Sequence, residues 1–422
     1  MRILPVSLLL LLASLSASTT ALAADPNDDA ALSLADAAPV AAQRSSPWRV
    51  TAEAAAGRTE QRYGLPGYQS GRLSLDVVYD GVLAPGWRLI FGDRLDRTLS
   101  SGDGPDNTVN TLKEAYVSWH PEGDKIVDVG RINARYGVGY GYNPTDYFRT
   151  GAIRSVVSLD PNTLRENRLG TVMLRGQTLL PSGSLTALYA PKIERTPSAA
   201  AFSPDFGATN NRGRWLVAAS RQFSENFNPQ LLAHGAAGQS AQVGANITTL
   251  LNQSSVAFLE WSGGRSRSLY DDFAGAAGDN RFRQRVATGL TYTNAAKMSL
   301  TTEFEYNGAG LSKSQWAALG KGAPAGYAGY GARVQDQLEL PTRSAIFLYG
   351  TWQDALVSRL DLKALVHLNL QDRSRLNWIE ARYHFEHVDL SLQLQHNGGD
   401  GMSEFGALPQ RRMLQTMVTY YF

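Results

Sequence analysis

From Trp48 to the last residue, segments of about ten residues alternate apolar and polar side chains, and in the clearest of them the polar face carries charge. In Met298-Ser299-Leu300-Thr301-Thr302-Glu303-Phe304-Glu305-Tyr306, a period of two puts Met298, Leu300, Phe304 and Tyr306 on one face of a strand. Ser299, Thr301, Glu303 and Glu305 fall on the other. Two carboxylates on one face lose too much solvation in hydrocarbon, so that face must see water. Val388 to Gln395 repeats the pattern without exception, and Arg72 to Val77 repeats it near the start. Strands that are apolar on one side and hydrated on the other, in a chain with no sign of a fixed repeat length, predict a closed membrane barrel rather than a soluble solenoid or propeller.

Connection chemistry supports the same reading. Short turns are expected at Ala84-Pro85-Gly86, Pro121 to Asp124, Pro181-Ser182-Gly183, Glu225 to Asn228, Asn294-Ala295-Ala296 and Glu386-His387. Between them lie polar, Gly-rich segments at 59–70, 98–110, 137–166, 193–212, 264–282, 308–341 and 396–410. Short turns alternating with long loops are the habit of transmembrane barrels. The count is about eighteen strands, with sixteen as the alternative because Pro229 to Ala236 and Ala241 to Thr249 rest on small residues. The fold class is all-β, a transmembrane antiparallel up-and-down β-barrel, and an even strand number leaves both termini on the periplasmic side. Trp48, Trp87, Trp119, Trp215, Trp261, Tyr306, Tyr420 and Phe422 stand near segment ends, where two aromatic girdles belong.

The amino terminus fits export. Met1-Arg2, the apolar run from Leu4 to Leu15 and Ala21-Leu22-Ala23 have the layout of a cleaved signal peptide, assigned to residues 1–23. An apolar core of about 12 residues is short for a retained helix, which needs about 20. Residues 24–46, Ala-rich with scattered Asp, have neither period and are expected as a flexible periplasmic arm, leaving 47–422 for the barrel. Cysteine is absent, and 40 Lys and Arg against 38 Asp and Glu give no nucleic-acid signature. Forty Gly, 18 Tyr and 8 Trp suit a barrel with a polar lumen.

The chain ends on Leu414-Gln415-Thr416-Met417-Val418-Thr419-Tyr420-Tyr421-Phe422, alternating to a terminal aromatic. This resembles the closing strand of Gram-negative outer-membrane β-barrels, which implies that Tyr420 and Phe422 form the signal read by the barrel insertion machinery. Together with the signal peptide and the loop rhythm, the chain over 48–422 is similar to porin-type outer-membrane channels. Gly130-Arg131 through Asn143-Pro144-Thr145-Asp146, and Glu303-Phe304-Glu305-Tyr306-Asn307-Gly308-Ala309-Gly310, are further similar to alginate-export-type barrels. That family lines its lumen with excess Arg and Lys, and this chain departs from it.

In porins the third loop commonly folds into the lumen and narrows it, and 137–166 has the matching position and length. The resemblance implies a constriction made by Asp146 and Asp160 facing Arg149, Arg154, Arg165 and Arg168, with Arg131 and Arg135 at the wall. Such a ring sets ion preference through its local field. The alternative puts this loop outside, with its arginines on lipopolysaccharide phosphate. Gly137, Gly139 and Gly141 allow sharp turns, and without a βαβ frame they are not a nucleotide loop. Parity places Asp76, Arg88, Glu114, Glu303, Glu305, Lys363, Glu380 and Arg382 in the lumen, together with Arg49, Arg72, Arg94, Arg175, Glu53, Asp128, Glu260, Asp361 and Asp389. The mixture suits a hydrophilic channel and equally a lumen closed by ion pairs. The six histidines form no zinc motif, and no catalytic site, metal or cofactor is expected.

Three functions fit: a passive channel for small hydrophilic solutes or a secreted molecule; an exporter of a polysaccharide or amphiphile working with a periplasmic partner; or a non-conducting barrel with ligand-binding or adhesive loops. The surroundings implied are outer-membrane lipid and lipopolysaccharide.

Overall fold

The computed structural model describes residues 46–101, 104, 106–278 and 280–422. The segments assigned to the signal peptide (1–23) and, but for residue 46, to the periplasmic arm (24–46) lie outside these. Eighteen antiparallel strands form one sheet that closes on itself, so the higher of the two counts holds. In order they are β1 (Trp48–Gln61), β2 (Tyr68–Ala84), β3 (Trp87–Ser100), β4 (Asn107–Glu122), β5 (Lys125–Ile132), β6 (Thr171–Leu180), β7 (Gly183–Ala190), β8 (Arg214–Arg221) and β9 (Gln230–Ala236). The second half comprises β10 (Gln242–Asn252), β11 (Ser255–Ser266), β12 (Arg281–Thr293), β13 (Met298–Asn307), β14 (Ser344–Trp352), β15 (Leu360–Asn369), β16 (Arg375–His384), β17 (Val388–Gly398) and β18 (Gln410–Tyr421).

Closure is made by the last strand. β18 pairs with β1 in the register Ala54↔Val418 and Thr51↔Tyr421, and the Phe422 amide donates to the Val50 carbonyl at 3.1 Å. Closure leaves no strand edge unpaired, which hydrocarbon would penalise. Side chains follow the expected parity: Leu300, Phe304, Leu390, Leu392, Leu414 and Val418 are exposed on the outer face, while Glu303, Glu305, Ser391, Gln393 and Thr419 are buried inside. β4 breaks it. A register shift between Gly92 and Asp93 on β3 opposes a bulge in β4, and both Lys113 and Glu114 turn inward.

Aromatic girdles mark both rims. At the short-turn end Trp87 stacks on Trp119 with centroids 5.6 Å apart, Trp48 meets Tyr79 at 4.7 Å and Tyr420 meets Phe422 at 4.8 Å. Exposed Tyr189, Trp215 and Phe282 stand at the loop end. The six turns named from sequence all lie at one end, joined by Gln253-Ser254 and residues 353–359. All seven long loops lie at the other, and so do two short ones, 237–241 and 370–374, that composition did not mark. The wall is uneven: β1 to β4 have 14, 17, 14 and 16 residues, whereas β7, β8 and β9 have 8, 8 and 7.

The loops carry short helices: α1 (Pro161–Glu166), α2 (Phe206–Thr209), α3 (Leu269–Ala274), α4 (Lys313–Gly320) and α5 (Pro324–Asp336). α4 begins with a capping box made by Ser312 and Gln315, and it packs on α5 through Trp316, Tyr327 and Tyr330.

Candidate functional site

The third loop runs from 133 to 170, longer at both ends than its polar composition marks, and it lies inside the barrel. Two wall carboxylates hold it by its backbone. Glu260 on β11 accepts at Oε2 from the amides of Val138 (2.8 Å) and Gly139 (2.9 Å), and at Oε1 from the amide (2.6 Å) and hydroxyl (2.9 Å) of Thr145. Glu303 on β13 accepts from the amides of Tyr140 (2.6 Å) and Tyr142 (2.9 Å). Both carboxylates are fully buried, and each spends its lone pairs on donors that would otherwise lack partners away from water.

Glycine makes the approach feasible. Gly137 has φ +97°, and a Cβ there would lie 2.5 Å from Glu260 Oε1. A Cβ on Gly141 would collide with Glu305 and Phe347.

The wall beneath the loop is apolar, contrary to the polar-in rule. Ile132, Tyr136 and Phe148 pack on Met173, Leu188, Leu216 and Leu232 from β6 to β9. Val138 and Tyr140 pack on Phe258, Phe347, Tyr349, Leu365 and Trp378 from β11 and β14 to β16. Burial of these faces seats the loop, and the carboxylates fix its register.

The charged residues assigned to the constriction come together, mostly as anchors of the loop. Asp146 pairs with Arg168 at 2.6 Å, both buried. Arg149 reaches Glu339 at 2.8 Å and the Asn143 carbonyl. Arg165 donates to the Gly137 carbonyl at 3.3 Å, and burial holds its guanidinium below its usual range. Arg131 donates to the carbonyls of Gly170 (3.0 Å) and Pro204 (2.6 Å) and lies over the Phe206 ring. Arg154 donates to the carbonyls of Asn110 and Ser203, each at 2.8 Å. Asp160 caps α1 and accepts from Tyr349 (2.7 Å) and Lys363 (2.9 Å). Burial would raise the Asp160 carboxyl, but Lys363 and the Tyr349 hydroxyl outweigh it and hold it below the usual range. Arg135, half-buried, makes no hydrogen bond or ion pair among the described residues.

Glu339 was not foreseen. Set between Leu338 and Leu340 in the loop 308–343, it dips into the barrel, where Arg285 (3.0 Å), Arg149 (2.8 Å) and the Tyr142 hydroxyl (2.5 Å) converge on it. Burial would raise its carboxyl; the two guanidinium groups reverse this and keep it low. Lys113 was hidden by the bulge.

Opposite the apolar patches the lumen is ionic. On β1 to β4, Arg94 meets Glu53 (2.5 Å), Asp96 (3.0 Å) and Asp76 (3.7 Å), Lys113 meets Asp76 at 2.5 Å, and Arg72 meets Glu53 at 3.5 Å. On β16 and β17, Arg382 bridges Glu380 (3.1 Å) and Asp389 (3.4 Å). Arg175 pairs with Asp128 at 2.7 Å, and Arg88 with Asp80 at 2.5 Å near the short-turn rim. Glu114 is half-buried, and Glu305 accepts from His367 Nε2 at 2.9 Å. The lumen-facing set thus sits on the inner face, with cations and anions interleaved.

A closed antiparallel barrel of eighteen strands with its third loop folded inward has the architecture of the outer-membrane porins. Among solved structures it is similar to Acinetobacter baumannii OccAB1, at 10% identity and TM-score 0.54, covering 89% of this chain and 96% of that one. It is similar too to Pseudomonas aeruginosa OpdQ (8% identity, TM-score 0.54, 90% and 99% covered) and OccK5, also named OpdH (8%, 0.52, 89% and 98%). These identities speak for the fold. No family model and no curated protein matches the chain in sequence.

Proposed function

We propose that the protein is an outer-membrane channel for passive movement of small hydrophilic solutes, narrowed by the loop 133–170, with both termini periplasmic once residues 1–23 are removed. The observation that carries this is the division of the lumen. The inward loop covers the apolar wall of β6 to β9 and β14 to β16, and β1 to β4 with β16 and β17 present an ionic lining that the loop meets through the Val157 carbonyl, which accepts from Arg72 at 3.1 Å. A surface of interleaved, already paired charges favours hydrated polar solutes without trapping either sign. The loop's own charges frame the aperture by fixing the loop, and Arg135 is the cation left to act on passing ions. The reading is of a transporter rather than an enzyme.

Conductance of the refolded protein across a planar bilayer tests it. Discrete steps are expected, larger in a Glu260→Gln/Glu303→Gln variant whose loop is loosened. Absence of steps in both proteins overturns the channel. Arg135→Glu should move the reversal potential toward cations, and an unchanged potential removes Arg135 from the aperture.

A further inference from the structure

The outer surface of the barrel carries a basic cluster at its loop end. Arg62, Arg373, Arg375, His396 and Arg411 line an open cavity of about 380 Å³ at the loop end of β16 to β18. Arg412 adjoins them, since it stands in register with His396 on β17. Arg373, Arg375, Arg411 and Arg412 make no ion pair or side-chain hydrogen bond among the described residues. Arg62 turns two nitrogens onto the carbonyls of Asn397 and Gly399, and its Nε is buried without a partner. Glu60, in register with Arg412, sets one carboxylate beside this group. Guanidinium groups held this close repel one another, and an anion of more than one charge relieves them.

Lower on the same wall lies a groove of about 300 Å³ whose lining includes Ala54, Ala56, Gly71, Leu73, Leu99 and Val418. Small side chains at Ala54, Ala56 and Gly71 make a slot between larger neighbours. Along β18 the step from Arg412 to Thr416, which pairs with Ala56, is about 13 Å at roughly 3.3 Å per residue. Cluster and groove thus match an amphiphile with an anionic head and hydrocarbon tails. We propose that this face binds a phosphorylated, multiply acylated lipid, its phosphates among Arg375, Arg411 and Arg412 and one chain in the alanine slot. The site lies outside the lumen and stands whether or not the barrel conducts.

Native mass spectrometry of the refolded protein in detergent tests this with a hexa-acylated, bisphosphorylated glucosamine disaccharide as probe. Phosphatidylcholine and inorganic phosphate are the comparison arms. Retention of the bisphosphorylated lipid at least tenfold above phosphatidylcholine is expected, falling about tenfold in Arg375→Gln/Arg411→Gln/Arg412→Gln and also falling in Ala56→Phe. All these positions face away from the lumen, and heat-modifiable gel migration reports that each barrel has folded. Equal retention of the two lipids, or full retention by the triple variant, overturns the proposal. Displacement by millimolar inorganic phosphate with Ala56→Phe unchanged assigns the cluster to free phosphate and overturns the lipid.

Discussion

Replacing Glu260 by Gln removes one oxygen and the negative charge from the clamp that seats the third loop. The carboxylate takes four hydrogen bonds of 2.6 to 2.9 Å, three of them from backbone amides. Glutamine keeps one acceptor: with its NH₂ toward Val138 and Gly139 both bonds are lost, and with it toward Thr145 the amide bond is lost while the hydroxyl turns to accept, and in either orientation the remaining bonds lose their charge. A hydrogen bond to a charged group is worth roughly 1.5–3 kcal/mol, and the relief of desolvating the charge offsets part of the loss. A net weakening of about 3 kcal/mol in loop docking is expected, and at 1.4 kcal/mol per decade this is on the order of 100-fold. The barrel itself should persist, because β11 keeps its ladders to β10 and β12. Hydrogen exchange on the refolded protein reads the effect locally: amides of Val138, Gly139 and Thr145 should exchange on the order of 100-fold faster while β11 stays protected. Protection within threefold of wild type at all three amides refutes the clamp.

Three further outcomes are expected. Burial pushes Glu404 up to about 7, with His367 and an Asn369 hydrogen bond opposing. Its folded value lies above the ordinary 4.5, so docking of the loop 399–409 is strongest below pH 4.5 and weakens by roughly 3 kcal/mol as pH rises through 7. Exchange at Phe405 should follow that curve, and Glu404→Gln should flatten it. Gly141→Ala should unseat the loop near Glu305 and Phe347, changing single-channel conductance in a barrel that still shows normal heat-modifiable migration. Arg149→Met leaves Glu339 with one guanidinium, that of Arg285, beside the Tyr142 hydroxyl and the Asn307 amide, and should speed exchange across 308–343 by about 3 kcal/mol. A Glu339→Gln/Arg149→Met cycle should give a coupling of about 1–3 kcal/mol, and additivity would show that the two loops are not joined there.

The barrel was legible because it obeys a local rule. Alternation at Met298 to Tyr306 and Val388 to Gln395 needs no knowledge of distant residues, and neither do turns such as Pro181-Ser182-Gly183. What failed was also local: the bulge in β4 shifts the period by one, hiding Lys113, and 237–241 and 370–374 are too short for composition to mark. The site was less legible. Parity gives a side chain's face and says nothing of depth, so Glu260 and Glu303 read as ordinary lumen carboxylates although their partners lie more than 100 residues earlier. Loop arginines read as charges facing water, yet Arg149 and Arg168 find carboxylates that only the folded loop brings near. One signal was available. Met173, Leu188, Leu216 and Leu232 are apolar at inward positions, which is sensible only if something inside the barrel covers them.

The uneven wall has a consequence for the membrane. Strands of 7 or 8 residues, tilted about 45°, rise roughly 18 Å, short of the apolar band of about 25 Å that barrels usually present. The bilayer must thin against β7 to β9 and can relax against β1 to β4. Lipid around the barrel is therefore strained on one side only. Two copies that met by their low sides would release that strain from the lipid between them, which gives the barrel a preferred direction of approach before any side chain touches another.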